Sequence, residues 1–269
     1  MSGLSETAYA KLNLALHVRC KRPDGYHEIE TIFVFCEAGD VVSAEHASSN
    51  SLKISGEFAG GLIRTGNLVE KAADVLREAS GGGEPAALHL QKLLPVAAGL
   101  GGGSADAAAT LRVLSRLWNL PMPTERLEEI ARPLGADVAA CVRSESLRGV
   151  NKGDSLSPVD IGLNGTPVLL VNPRVELRTA DVFSRWDGVD KGELEDWREG
   201  RNDLEPAAIA MVPQIAGILA WLSAQRGAHF VRMSGSGATC FALFDSDSAR
   251  DHAAIAVPRE WWSLATRLR

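Results

Sequence analysis

The sequence predicts an α+β protein of two domains, on three observations. Its 269 residues, 45% of them hydrophobic, are enough for a sizeable core and long enough for two modest domains. Strand-period and helix-period segments occur together in the first half, and the second half repeats the mixture. Between the halves, the polar stretch Asn151 to Pro158 is the least core-like part of the middle. Few contacts cross such a stretch when domains part, which places the domains at residues 1–155 and 156–269.

From the start of the chain, Leu12, Leu14, Leu16 and Val18 alternate with Lys11, Asn13, Ala15 and His17. This is the period of a half-buried strand, and it puts Lys11 and Asn13 on one face. Arg22-Pro23-Asp24-Gly25 suits a tight turn, so Ile29 to Cys36 reads as the second arm of a hairpin. Asn67 is an N-cap for a helix whose Leu68, Ala72, Val75, Leu76 and Ala79 share a face, with Gly81-Gly82-Gly83 as its stop. A short strand, Ala87 to Lys92, leads into a glycine-rich loop; Ser104 to Trp118 follows as an Ala-rich helix, and Thr124 to Arg132 as another. In the second half, Pro167 to Asn172 is an apolar strand, and Ala207 to Ala224 is helical with a break at Pro213. Phe230 to Met233 and Thr239 to Phe244 are strands flanking Ser234-Gly235-Ser236-Gly237, while Asp187 to Asn202 is charged and irregular.

Composition excludes several classes of function. With 28 basic and 34 acidic side chains, a net charge of −6 offers no cationic footprint for nucleic acid. The first residues lack the charged and apolar regions of a signal peptide, and no apolar run approaches the roughly 20 residues that span a bilayer. The expectation is a soluble cytoplasmic protein with no membrane partner. Cys20, Cys36, Cys141 and Cys240 are widely spaced, so they read as reduced, mostly buried thiols rather than a zinc site or a disulfide framework.

The chemistry centres on Pro95-Val96-Ala97-Ala98-Gly99-Leu100-Gly101-Gly102-Gly103-Ser104-Ala105. Glycines just before a helix let backbone N–H groups approach an anion without Cβ obstruction, and the helix dipole adds to the attraction. Ser104 is placed to cap the helix or to reach a phosphate or its metal ion. No lysine follows the glycines, so this is not a Walker A loop. Gly99-x-Gly101-x-x-Ser104 approximates a dinucleotide pattern, but the acid due about 20 residues later would fall in a helix near Glu125. The H-R-D and D-F-G pieces of a protein kinase do not occur.

The loop resembles the phosphate-binding motif of the GHMP kinases, the superfamily of galactokinase, homoserine kinase and mevalonate kinase. Ala8-Tyr9-Ala10-Lys11-Leu12-Asn13-Leu14, Pro23-Asp24-Gly25-Tyr26-His27 and Gly135-Ala136-Asp137-Val138 resemble one branch of it, as do Arg201-Asn202-Asp203-Leu204 and Met233-Ser234-Gly235-Ser236-Gly237-Ala238-Thr239-Cys240. That branch phosphorylates 4-diphosphocytidyl-2-C-methyl-D-erythritol in the non-mevalonate isoprenoid pathway. Two departures stand out: Ala97 and Ala105 occupy positions where the family more often has Gly and Ser, and Ala139 follows Val138 where Pro is common.

The resemblance implies a two-domain GHMP kinase architecture: an N-terminal ATP domain like ribosomal protein S5 and a C-terminal ferredoxin-like α/β sandwich. It implies ATP as co-substrate with Mg²⁺, and transfer of the γ-phosphate to the 2-hydroxyl of a cytidine diphosphate conjugate. By the same resemblance, Asp137 is the base and Lys11 its charge partner, a pairing that would favour the ionised carboxylate. Residues Pro95 to Ala105 hold ATP, and Tyr26 and His27 form a pocket for cytosine, one to stack and the other to hydrogen-bond. Asn13, Thr179 and Phe183 lie on the substrate side, and Ser104 is the only candidate metal ligand. Taken singly, Asp137 could be a plain helix cap, Lys11 an exposed strand lysine, and Ser234 to Gly237 only a hairpin turn. Another GHMP kinase of homoserine or mevalonate type, or a nucleotide-binding regulator without catalysis, are the competing readings; monomer and homodimer both remain open.

Overall fold

The alternation that begins near Ala8 belongs to a longer strand, β1 (Leu4–Lys21), which pairs with β2 (His27–His46). The expected turn joins them: the Gly25 N–H donates to the Arg22 carbonyl at 3.1 Å and the Arg22 N–H to the Tyr26 carbonyl at 2.8 Å. The computed structural model describes residues 3–62 and 66–269. Residues Ala10 through Val18 of β1 are all buried, so the strand is covered on both faces rather than half-exposed as its alternation suggested. The polar residues in the alternation, Lys11, Asn13 and His17, face protein.

By packing, the chain forms two units that interleave along the sequence. The first takes Met1–Ala10, Ala38–Val96 and Gly101–Ser144, and the second takes Lys11–Glu37, Ala97–Leu100 and Glu145–Arg269. Residue 155 divides the chain by sequence, whereas packing passes it back and forth, because β1 and β2 each run from one unit into the other.

In the first unit, β3 (Ser51–Ser55) lies parallel to β4 (Ala86–Gln91), and β4 is antiparallel to Val41–His46 of β2. Helices α1 (Leu68–Ala79), α2 (Gly102–Leu117), α3 (Thr124–Ala131) and α4 (Val138–Arg143) complete it, with α2 packed on α1 and α4. Helix α1 begins as predicted, with the Asn67 side chain accepting from the Val69 N–H at 2.9 Å. The unit keeps β2 going past Cys36, where the sequence reading ended it. A Cβ on Gly39 would lie 1.9 Å from the Ala8 carbonyl oxygen, so only glycine fits that approach.

In the second unit, β5 (Leu147–Val150) pairs antiparallel with Thr31–Phe33 of β2 and with β6 (Ser155–Pro158). There follow β7 (Pro167–Asn172), α5 (Thr179–Phe183), α6 (Glu205–Met211), α7 (Gln214–Ser223), β8 (Ala228–Met233), β9 (Cys240–Phe244), α8 (Asp247–Ile255) and β10 (Trp262–Arg267). Their sheet has the order β10-β7-β9-β8 and is antiparallel throughout, with α7 and α8 packed against it. This is the expected ferredoxin-like arrangement. Leu169, Val171, Ala242 and Phe244 form its core with Ile215, Ile218 and Leu222 of α7. The break at Pro213 separates α6 from α7, since proline lacks the N–H that would continue the first helix. Residues 187–202 contain no helix or strand. Cys36, Cys141 and Cys240 are buried, Cys20 is exposed, and none of the four forms a disulfide. No helix among the described residues is long and apolar enough to cross a membrane.

Candidate active site

In the first unit, the glycines lead directly into α2, and the helix starts two residues earlier than its sequence suggested. Its N-cap is Gly101, in the left-handed region at φ 62°, so Gly102, Gly103 and Ser104 form the first turn. Ser104 is therefore not the cap. No side chain caps α2, and the Gly101 carbonyl accepts the helix's first bond, from the Ala105 N–H at 2.8 Å. The N–H groups of the opening turn have no acceptor inside the helix, which is the arrangement that attracts an anion.

Beneath this turn lies a group that sequence reading missed. The Lys92 ammonium is buried, donating to Asp40 Oδ2 at 2.5 Å and to Asp106 Oδ2 at 2.7 Å. Asp40 Oδ1 in turn accepts from the N–H groups of Leu93 (2.5 Å) and Leu94 (2.8 Å). A Cβ built on Gly102 would stand 3.0 Å from Lys92 Nζ, so the ammonium lies directly against the first turn of α2. Burial pushes the Asp106 carboxyl up to about 7; Lys92 opposes that rise and Asp40 adds to it. The available signal was Asp106 itself, a lone charge in the run Ser104-Ala105-Asp106-Ala107-Ala108-Ala109. A charge there requires a buried partner, but nothing in the sequence names Lys92.

Asp137 stands at the N-cap of α4 with φ −81°, yet its side chain makes no capping bond. The plain-cap reading of this residue does not hold. Its carbonyl accepts from the Cys141 N–H at 3.1 Å, and the residue is half-buried.

The second unit holds the rest of the loop, Ala97 to Leu100, against β1 and the β8–β9 connection. Lys11 is 4% exposed, which removes the surface-lysine reading. Its backbone N–H donates to the Leu100 carbonyl at 2.9 Å; its ammonium donates to Asn13 Oδ1 at 3.3 Å and sits 4.5 Å from the centre of the Phe33 ring. Asn13 is oriented at its other end, where Nδ2 donates to Thr31 Oγ1 at 2.7 Å. The Asn13 N–H also donates to Ser234 Oγ at 3.2 Å.

Ser234 to Gly237 does connect the antiparallel strands β8 and β9, but it is more than a turn. Ser234 Oγ donates to the Gly99 carbonyl at 2.9 Å, and the Thr239 N–H donates to the Ala98 carbonyl at 3.1 Å. Gly99, at φ 76°, would place a Cβ 2.3 Å from the Ser234 carbonyl oxygen, so the close approach requires glycine. Ala97, where glycine is more usual in the resembling family, takes a left-handed φ of 49°, a conformation that costs an L-residue strain. From the far side, Asn202 Nδ2 donates to the carbonyls of Met233 and Gly235, each at 2.8 Å.

The expected substrate-side residues of this unit gather in part. The His27 ring lies 4.8 Å from that of Phe183, tilted by 31°, and 5.7 Å from that of Trp186, edge-on. Trp186 was not foreseen; it stands one residue before the irregular stretch read from Asp187. Tyr26 does not join these rings. It is 57% exposed, with the Lys152 ammonium 4.9 Å from its ring centre. Thr179 Oγ1 lies 3.0 Å from Ser236 Oγ, which attaches it to the β8–β9 loop instead. Burial, and to a lesser degree Lys21, lower the His27 pKa below the usual histidine value, favouring the neutral ring.

Among the described residues, no group of three His, Cys, Asp or Glu side chains could hold a metal ion. Residues 67–145 match the model of the GHMP kinases N terminal domain, and residues 181–263 that of the GHMP kinases C terminal domain. A protein of Novosphingobium aromaticivorans named 4-diphosphocytidyl-2-C-methyl-D-erythritol kinase is 52% identical, covering 99% of this chain and 93% of its own. One of the same name from Rhizorhabdus wittichii is 51% identical over 98% of this chain and 94% of its own. A crystal structure of 4-(cytidine 5'-diphospho)-2C-methyl-D-erythritol kinase superposes with a TM-score of 0.84 at 30% identity, covering 98% of this chain and 99% of that one. A homoserine kinase from Cytophaga hutchinsonii shares the fold at a TM-score of 0.71 and 16% identity, with 100% and 95% of the two chains covered.

Proposed function

This chain belongs to the 4-diphosphocytidyl-2-C-methyl-D-erythritol kinases of the GHMP kinase family, and from that premise we propose which of its residues carry the reaction. The reaction moves the γ-phosphate of ATP to the 2-hydroxyl of 4-diphosphocytidyl-2-C-methyl-D-erythritol, a step in making isoprenoid precursors in the cytoplasm. Phosphoryl transfer through a loose transition state asks a protein mainly for positioning and for neutralisation of charge. The observation that carries the assignment is the uncapped, glycine-lined N-terminus of α2, whose N–H groups have no acceptor within the helix. Pro95 to Ala105 hold the ATP phosphates, with the N–H groups of Gly102, Gly103 and Ser104 as donors.

Asp137 accepts the proton of the attacking hydroxyl and orients it, and Lys11 supplies positive charge to the transferring group. A buried Lys11 fixed by Asn13 and Phe33 supports this role, because an ammonium with few alternative positions loses little in reorganisation. His27 and Phe183 hold the cytosine ring, Tyr26, exposed and next to His27 in sequence, is available to stack on it, and Asn13 and Thr179 contact the remainder of the acceptor. Mg²⁺ comes with the nucleotide. Ser104 is its candidate protein ligand, consistent with an ion that keeps most of its coordination on phosphates and water.

A coupled assay of ADP release tests the acceptor, run with the cytidine-linked methylerythritol, homoserine and mevalonate in parallel. Turnover with the first and background rates with the others is the expected outcome. Turnover of homoserine or mevalonate at a comparable kcat/KM would overturn the acceptor assignment.

A further inference from the structure

The Lys92–Asp40–Asp106 group has no part in the chemistry above, yet its burial demands a reason. Two carboxylates and one ammonium sit in the interior of the first unit; Lys92 is 1% exposed and Asp106 3%. Such a group costs desolvation energy and by itself adds little stability over an apolar packing of the same shape. It is also incomplete as a purely structural network, since Asp106 Oδ1 is buried with no hydrogen-bond partner among the described residues.

Its placement is specific. Lys92 ends the run from β4 into the loop, and Asp106 is the fifth residue of α2, so the ammonium ties together the two ends of the segment that contains the glycines. Asp40 fixes it from β2 and also accepts from the N–H groups of Leu93 and Leu94, the residues just before Pro95. Gly102 has no side chain to fill the space on this side, and Lys92 Nζ takes up that space.

We propose that Lys92, clamped between Asp40 and Asp106, is a positioning residue for ATP: its ammonium sets the first turn of α2 in the place from which the Gly102, Gly103 and Ser104 N–H groups meet the phosphates. The inference rests on the assignment of this turn to ATP. A displacement of about 1 Å in such a turn is enough to cost a large factor in function, while the fold around it persists.

The test compares Lys92→Met with the wild type by steady-state kinetics over both substrates. The KM for ATP rises at least about tenfold, while the KM for the acceptor stays within about twofold. Lys92→Met/Asp106→Asn removes the ammonium together with one counter-charge and gives the same split if the single variant does not fold. Leu127→Ala, a core change in α3, controls for lost stability: at a comparable fall in Tm it leaves the KM for ATP unchanged. An ATP KM within about twofold of wild type in a folded Lys92 variant overturns the proposal, as does an equal rise in both KM values or an equal rise in Leu127→Ala. Ser104→Pro, which removes one of the three N–H donors at a first-turn position where a helix tolerates proline, separates the two levels of inference. If it raises the KM for ATP and the Lys92 variants do not, only the positioning role fails; if neither moves it, ATP does not use this turn.

Discussion

The Ser234 hydroxyl donates to the Gly99 carbonyl at 2.9 Å, joining two glycine-rich segments that lie 135 positions apart in sequence. The same oxygen accepts from the Asn13 N–H, so one small side chain ties the glycine loop to the strand that carries Lys11. Ser234→Ala leaves a buried donor and a buried acceptor without partners, at about 1–3 kcal/mol for each group not otherwise satisfied. Thermal unfolding is expected to show a lower Tm, and kinetics a higher KM for ATP. An unchanged Tm would mean that the two segments hold their approach without this oxygen.

Asp137→Asn keeps the shape at the start of α4 but removes the carboxylate proposed as the base. Because the native side chain makes no capping bond there, helix stability should hardly change. ATP binding measured by calorimetry should persist while kcat falls by about 10²–10⁴, the usual range for loss of a positioned acid or base. Wild-type turnover in this variant would remove Asp137 from the mechanism.

On the proposed assignment of His27 to the acceptor, His27→Ala should raise the KM for the cytidine conjugate far more than that for ATP. The pH dependence follows from the lowered His27 pKa. The ring is neutral from neutral pH upward and gains its proton only below the ordinary value of about 6.5. Acceptor KM should therefore be flat above about pH 7 and rise in acid, and His27→Ala should lose that acid arm. An identical arm in the variant would assign it to another group.

Asp106 makes stability depend on pH in a direction opposite to that of an ordinary salt-bridged aspartate. Its folded pKa is raised to about 7, so between about pH 4 and pH 7 the folded chain holds a proton that the unfolded chain has lost. Stability from this group is full at the acid end of that window, falls as pH rises through it, and is flat above. Asp106→Asn cannot ionise, so its Tm relative to wild type should climb from about pH 4 to about pH 7 and then level off. His17 and His27, both lowered by burial, contribute equally to the two proteins and cancel in the difference. A difference independent of pH would show that Asp106 is ionised throughout.

Much of the fold was legible because its signals are local. Asn67 before an apolar helical face and Gly81 after it are neighbours in sequence, and α1 forms as they indicate. The alternation from Lys11 to Val18 identified β1, but its burial on both faces was not legible, since covering a strand depends on segments far along the chain. The second strand was read only to Cys36, whereas β2 runs on to His46 past the close approach of Gly39 to the Ala8 carbonyl, a contact that no local signal shows.

The sequence by itself determined the family, the glycine loop and the residue types expected around a phosphate, because close backbone approach and helix initiation leave marks at fixed short spacings. Tertiary structure alone decided that Ser104 lies inside the first turn and is not its cap, that Trp186 and not Tyr26 packs on His27, and that Lys92 is held by Asp40 and Asp106. These outcomes depend on contacts between residues far apart in sequence. A buried charge reveals that it needs a partner, but only the packed chain brings the partner within 3 Å.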